Sequence, residues 1–326
     1  MPDDIREQLV KHLADVHAVE EQALAQLRRA PGIAGEPRLA AAFEQHLAET
    51  ERQERLVRER LEAHGAEPSA LEDALGRAGA IPMLAFARFN PDTPGKLVSH
   101  AYSYEHLEVA AYALLARVAD RAGDDETARM AAEIEAEERE MALRLEHLFD
   151  DAVVASVRDQ DPDDLDALLD DYLADAHALE LQVATLLGIA PKIVAEGRVR
   201  DLFEAHLETT REHERRVRER LEARGAAPSR VKDAGLRVAG VGQGAFFAAL
   251  RDTPADLTGF AFAHEYLEAG AYELLRRTAQ RAGDEETARM AGEIAGEERA
   301  MAARLAESWD EVVDATLAAK GLGPTP

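Results

Sequence analysis

The chain repeats itself once, without gaps, at a spacing of 160 residues, and any fold it adopts must accommodate that repeat. Arg121 to Ile134 reads RAGDDETARMAAEI and Arg281 to Ile294 reads RAGDEETARMAGEI, identical at 12 of 14 positions. The same offset lays Phe43-Glu44-Gln45-His46-Leu47 on Phe203-Glu204-Ala205-His206-Leu207. It also lays Asp15, His17, Glu20 and Gln22 on Asp175, His177, Glu180 and Gln182. A period of this length is too long for a solenoid unit and suits a whole domain. The sequence therefore predicts two tandem domains, 1–157 and 158–326, joined by the polar run Arg158 to Asp163 with its Pro162.

Helix punctuation divides the first copy into four segments. The first runs from Asp3 to about Ala30 and is stopped by Pro31-Gly32; the second opens at Pro37 and closes before Gly65. The third follows Pro91-Asp92-Thr93-Pro94 and ends at Gly123, and the fourth starts in Asp124-Asp125-Glu126 and continues to about Val157. Acidic residues there suit the positive end of a helix. Short turns join the first to the second and the third to the fourth, so each pair is expected to be antiparallel. Some 30 residues separate the second from the third, with a short helix expected around Ser69 to Arg77. A helix of ~27 residues is ~40 Å long, and a connection that returns along that length makes a bundle with one long crossover. The expected fold class is all-α: two tandem ferritin-like four-helix bundles, each with one crossover.

Composition agrees and excludes some partners. Hydrophobic residues make up 46% but aromatics only 5%, which favours helices rich in Ala, Leu, Glu and Arg. A net charge of −26 argues against nucleic acid and anionic membranes as partners; it attracts cations, or simply keeps the chain soluble. The chain has no cysteine, so neither disulfides nor thiolate metal sites are available. An amphipathic, charged stretch follows Met1, with no signal peptide or membrane span, which leads to an expectation of cytoplasmic location.

The chemistry emerges when the helices are plotted at about 100° per residue. In the first, Leu9, Leu13, Val16, Leu24 and Leu27 form an apolar stripe with Glu20 in its middle. In the third, Leu97, Ala101, Tyr112 and Leu115 surround Glu108, with Glu105 on the flank. In the fourth, Met130, Ile134, Met141, Leu145 and Leu148 surround Glu137, with Glu138 beside it. The stripe of the second, Leu39, Phe43, Leu47, Val57 and Leu61, admits His46, Thr50, Gln53 and Glu54, with Glu49 just off it. A carboxylate inside an apolar bundle must be neutralised, paired or metal-bound. The set recurs as Glu180, Glu214, Glu268 and Glu297, flanked by Glu265 and Glu298. Carboxylates with a few imidazoles suit iron or manganese, and paired-metal bundles supply them from all four helices. The competing reading is ion pairing to inward-reaching arginines, for which Arg60 and Arg144 lie near the stripe edges.

These residues resemble a known family, the ferritin-like stress proteins of the YciE/YciF type. The resembling strings are Asp15-Val-His-Ala-Val-Glu20-Glu-Gln22, Phe43-Glu-Gln-His46-Leu-Ala-Glu49-Thr50, Glu105-His-Leu-Glu108-Val-Ala-Ala-Tyr112, and Glu137-Glu138. The resemblance covers nearly all of both halves and implies a ferritin-like fold, a bound pair of iron or manganese ions, alike or mixed, and an association with stress responses. The chain also departs from the pattern. Position 52 is Arg52 and Glu138 is followed three residues on by Met141, so ferritin Glu-x-x-His pairs are absent. Ala142 and Ala302 stand where family members often carry an acid. The second copy replaces Glu49 with Thr209 but gains His213 for Gln53 and His264 for Tyr104.

Candidate metal ligands are therefore Glu20, His46, Glu49, Glu54, Glu105, Glu108, Glu137 and Glu138 in the first copy. In the second they are Glu180, His206, His213, Glu214, His264, Glu265, Glu268, Glu297 and Glu298. His46 and His206 are either ligands or partners that hold a carboxylate in place. His17 and His177 suit a surface or interhelix hydrogen bond, His106 faces solvent on the wheel, and Tyr112 and Tyr272 either pack in the core, the reading preferred, or hydrogen-bond a carboxylate. Three function classes remain open: metal-dependent oxygen or peroxide chemistry, metal binding without turnover, and a metal-free helical stress protein acting through its acidic surface. Whether the chain is an enzyme is left open. Partners are metal ions, with the two copies expected to dock as an intramolecular pseudo-dimer, and the chain to be a monomer or small homo-oligomer.

Overall fold

A computed structural model describes residues 5–67, 93–158, 161–190, 197–237 and 253–322. These residues are helical, with no strand among them. The chain divides into two compact units, Met1–Arg158 with Val313–Pro326, and Asp159–Val312.

In the first unit the helices are α1 (Ile5–Leu27), α2 (Ala30–Ile33), α3 (Pro37–Ala63), α4 (Thr93–Ala122) and α5 (Asp125–Val157). The first helix ends at Leu27, earlier than the expected stop; Pro31-Gly32 instead lies inside α2, where the proline sits in a first turn that needs no N–H from it. The expected short helix at 69–77 lies outside the described residues.

The repeated Arg-Ala-Gly-Asp string explains itself at the α4–α5 turn. Gly123 takes φ 72°, a conformation open to glycine at little cost, and Asp124 then caps α5 by accepting from the Thr127 backbone N–H at 3.1 Å. Arg60 of α3 reaches across to the same carboxylate at 2.9 Å and to Thr127 Oγ1 at 2.9 Å. Arg38 meets Asp151 at 2.7 Å and Gln53 meets Glu138 at 2.5 Å. Residue numbers rise on one helix as they fall on the other, so α3 and α5 are antiparallel. The tight turn makes α4 and α5 antiparallel too. Hence α3 and α4 run parallel, and the chain leaves α3 at one end of the unit and begins α4 at the other, as a crossover bundle requires.

The second unit repeats the plan with α6 (Pro162–Leu187), α7 (Arg198–Ala223), α8 (Thr253–Ala282) and α9 (Glu285–Ala306); α10 (Trp309–Ala319) follows, its residues from Val313 onward belonging to the first unit. Arg220, Asp284 and Thr287 rebuild the pinned cap. The fourth helix, continuous in the first copy, breaks here. Ser308 replaces Leu148, and its hydroxyl donates to Leu305 O at 2.6 Å, competing with the helical ladder.

The apolar stripes form the cores. Leu9, Leu13, Leu39, Phe43, Tyr112, Leu115, Ile134 and Phe149 are among the fully buried side chains of the first unit. The structure corrects one face. His106 is buried, packed edge-on against Tyr102 with its Nδ1–H donating to Tyr102 O at 2.7 Å. The helix α4 buries residues around most of its circumference, Val98, Tyr102, His106, Val109 and Ala113 as well as Glu105, Glu108 and Tyr112, so little of it is left to face solvent.

Candidate metal centre

Midway along the first unit, α3, α4 and α5 bring His46, Glu105, Glu108 and Glu138 together, one ligating atom of each lying within 4.8 Å of the others. All four are buried, and Glu20 of α1 is 0% exposed beside them. Each of the five carries a buried polar atom with no hydrogen-bond partner: Oε2 of Glu20, Glu105, Glu108 and Glu138, and Nε2 of His46. Among the described residues, no lysine or arginine pairs with these four carboxylates. Arg60 is committed to Asp124 and Glu126, and Arg144 lies near Glu49 and Glu140. The ion-pair alternative for the buried set is therefore not what the fold builds.

His46 is held by its outer nitrogen. Its Nδ1 lies 3.3 Å from Glu49, while Nε2 points inward, 3.0 Å from Glu105 and 3.6 Å from Glu138. This is how a ligand imidazole is fixed, one ring nitrogen on a carboxylate and the other free to bind. Glu49 is half-buried and held down to about 2, chiefly by His46. Burial acts against charge on His46, yet Glu105, Glu49 and Glu138 together raise its pKa well above the usual histidine range. Burial pushes Glu20 up to about 8 and Glu108 and Glu138 well above the ordinary carboxylate range; repulsion among the acids adds to the rise. Carboxyl groups in such a place favour protonation unless positive charge arrives.

The second unit assembles His206, Glu265, Glu268 and Glu298 in the same way, and adds a second group, Glu180, His213 and Glu298. His206 Nε2 is 3.0 Å from Glu265 and 3.6 Å from Glu298. Burial opposes charge on His206 and His213, but the surrounding acids bring both to about 9. Burial raises Glu180 to about 8 and Glu265 to about 7. Burial also disfavours charge on Glu298, but contact with His213 and the charges of both imidazoles outweigh it and hold Glu298 low. Unpartnered atoms again converge, on Glu180, His206, Glu265, Glu268 and Glu298.

Not every candidate enters a cluster. On the fourth helix the wheel is corrected: Glu138 and Glu298 are fully buried, while the Glu137 side chain is 40% exposed, at the rim, bonded to Arg52 and Gln53. Glu297 is likewise at the rim, near Arg216 and 2.7 Å from His213 Nε2. The spacings 134–138–141–145 and 134–137–141–144 both fit a helix, and only packing decides between them. Glu54 and Glu214 lie away from the main clusters, bonded to His17 at 3.1 Å and His177 at 2.8 Å, so the interhelix bond expected of those histidines is present. His17, Glu21 and Glu54 are close enough to form a small group of their own. His264 is buried but stacks on Phe260 rather than joining the acids.

Tyr112 and Tyr272 pack in the core and also hydrogen-bond a carboxylate, so the two readings of them hold together. Each is fully buried and donates its O–H to a carboxylate, Tyr112 to Glu20 and Tyr272 to Glu180 at 2.5 Å. The signal was available in sequence, since a buried phenol needs an acceptor and the recurring pairs 20/112 and 180/272 share the repeat. A cavity of about 20 Å³ opens beside the first cluster, lined by Leu27, Phe43, His46, Leu97, His100 and Glu105 among others, room enough for one water-sized molecule.

Charge and donor chemistry fit a divalent cation: four clustered buried carboxylates per unit, imidazole nitrogens aimed among them and, among the described residues, no lysine or arginine paired with them. Among the described residues no helix is long and apolar enough to cross a membrane. No solved structure matches the chain. The family described as "Domain of unknown function (DUF892)" matches twice, over residues 4–158 and 164–318. The chain belongs to that ferritin-like family, as two tandem copies in one polypeptide.

Proposed function

We propose that this is a metal–carboxylate protein of the YciE/YciF type, binding iron or manganese and acting in oxidative or general stress by metal-dependent oxygen or peroxide chemistry. Each copy, 1–157 and 158–326, would form one ferritin-like domain. The observation that carries the reading is the convergence, in each unit, of four buried carboxylates, each with at least one oxygen that lacks a hydrogen-bond partner. Leaving such groups charged and unpaired is far too costly to persist without compensation, and a bound cation supplies it.

His46, Glu105, Glu108 and Glu138 would hold metal in the first unit with Glu20 beside them; His206, Glu265, Glu268 and Glu298 would do so in the second, joined by Glu180 and His213. Bound iron or manganese would supply one-electron chemistry toward oxygen or peroxide. The chain's own part is orientation: Glu49 fixes the ring of His46, and Tyr112 and Tyr272 fix Glu20 and Glu180. The cavity beside His46 admits a molecule no larger than such an oxidant.

Anaerobic loading with Fe(II), desalting, and then addition of oxygen or peroxide tests this. Retained iron with oxidant consumption above that of free Fe(II) is expected. Retained iron without consumption would restrict the function to metal binding, and no retained iron would leave a metal-free helical protein.

A further inference from the structure

The two copies differ at one buried position in a way that bears on how many ions each can hold. In the second unit, α7 carries His213, 0% exposed. Its Nε2 lies 2.7 Å from rim residue Glu297. Its Nδ1 points inward, 2.7 Å from Glu298 Oε1 and 3.7 Å from Glu180 Oε1, without hydrogen-bond geometry to either. An outer carboxylate on one ring nitrogen and a second nitrogen aimed at facing acids is the arrangement of an oriented metal ligand. Glu298 belongs to both groups of this unit, so its two oxygens, each without a hydrogen-bond partner, lie between two sets of donors.

In the first unit the same place is taken by Gln53, also 0% exposed. Its Nε2 donates to Glu137 at 3.0 Å and to Glu138 at 2.5 Å. An amide N–H₂ has no lone pair to give a cation, and it occupies the Glu138 oxygen that in the second unit faces His213. Glu20 remains nearby, bonded to Tyr112, but among the described residues no second group of three His, Asp or Glu ligands forms around it.

We propose that the second unit takes two divalent cations, with Glu298 contacting both, whereas the first takes one, at His46, Glu105, Glu108 and Glu138. This rests on the metal-binding reading above. It adds that position 53/213 sets the nuclearity of each unit, and that Glu297 acts as a positioning residue for His213.

Manganese(II) is the probe, because a lone ion and an exchange-coupled pair give different low-temperature EPR spectra. The full chain is loaded anaerobically, desalted, and measured for bound manganese and for spectrum. Three ions per chain are expected, with lone-ion and coupled-pair signals together. His213→Gln should remove one ion and the coupled signal; Gln53→His should add one ion and a second coupled pair. Each change installs the residue that the other unit already tolerates in the same fold, and the opposite signs keep the test decisive should one variant fail to fold. Equal nuclearity in the two units, or a coupled signal that survives His213→Gln, would overturn the proposal while leaving metal binding intact. Absence of bound manganese in the unaltered chain would instead overturn the metal reading itself.

Discussion

Replacing Glu180 by glutamine should stabilise the metal-free chain and make it gain less stability from metal. Burial holds this carboxyl near pKa 8 in the folded chain, against an ordinary 4.5. A group raised on folding contributes its stability below the unfolded value and loses it as pH rises toward the folded one. At pH 7 the unfolded carboxyl is ionised and the folded one must hold a proton, a cost of about 3 kcal/mol at 1.36 kcal/mol per pH unit. Glutamine removes that cost, still offers an amide oxygen to Tyr272, and changes volume little, so the chelated variant should be more stable by up to about 3 kcal/mol. In metal that advantage should shrink, because an ion present at a hundredfold excess over its Kd stabilises the unaltered unit by about 2.7 kcal/mol that the variant forgoes in part. The chain has one tryptophan, Trp309, buried against Phe262 in the second unit, so its fluorescence reports unfolding of the right domain in urea. A Glu180→Gln protein that is weaker in chelator, or that gains as much from manganese as the unaltered chain, would refute the reasoning.

Three further outcomes follow from the same geometry. Glu54→Gln should leave bound metal in the first unit unchanged while Glu138→Gln abolishes it, read as metal per chain after desalting. Glu54 serves His17, whereas Glu138 sits among unpartnered ligand atoms. In chelator, unaltered protein should lose stability between about pH 4.5 and pH 8 as Glu20 and Glu180 resist ionisation, and added manganese should flatten that slope; urea midpoints across pH measure it. Asp124→Ala should destabilise the first unit by about 1–3 kcal/mol through loss of a helix cap and the Arg60 anchor. Hydrogen bonds from Thr127, His64 and Arg60 outweigh burial and hold Asp124 well below the usual range. Its contribution is therefore present at neutral pH and lost below about pH 4, the opposite sense from the buried glutamates.

Much of this was legible in the sequence because a helix converts spacing into direction. The stripe through Leu9, Leu13, Val16 and Leu24 had to face inward, and it carried Glu20 with it; the repeat then vouched for Glu180. Where two registers satisfy the same spacing, the sequence could not choose. Glu137 and Glu138 are one residue apart and both flank Met141, so which one is buried depends on how α5 rotates against α3 and α4. His106 was misread because a wheel assumes one buried face, and α4 has neighbours around most of its surface. The exchange of Gln53 for His213 was visible, but its meaning was not: only the structure shows the ring spanning from rim Glu297 to interior Glu298. The break before α10 falls at Ser308, whose back-bond to Leu305 no periodicity could show.

The central claim, a buried divalent-metal site in each unit, is tested most directly by the metal content of untagged protein purified without chelator, loaded with manganese and desalted. The account predicts retained, stoichiometric metal in the unaltered chain and its loss from the Glu138→Gln/Glu298→Gln double variant at unchanged helicity. Metal-free protein, or metal retained undiminished by the double variant, would contradict it.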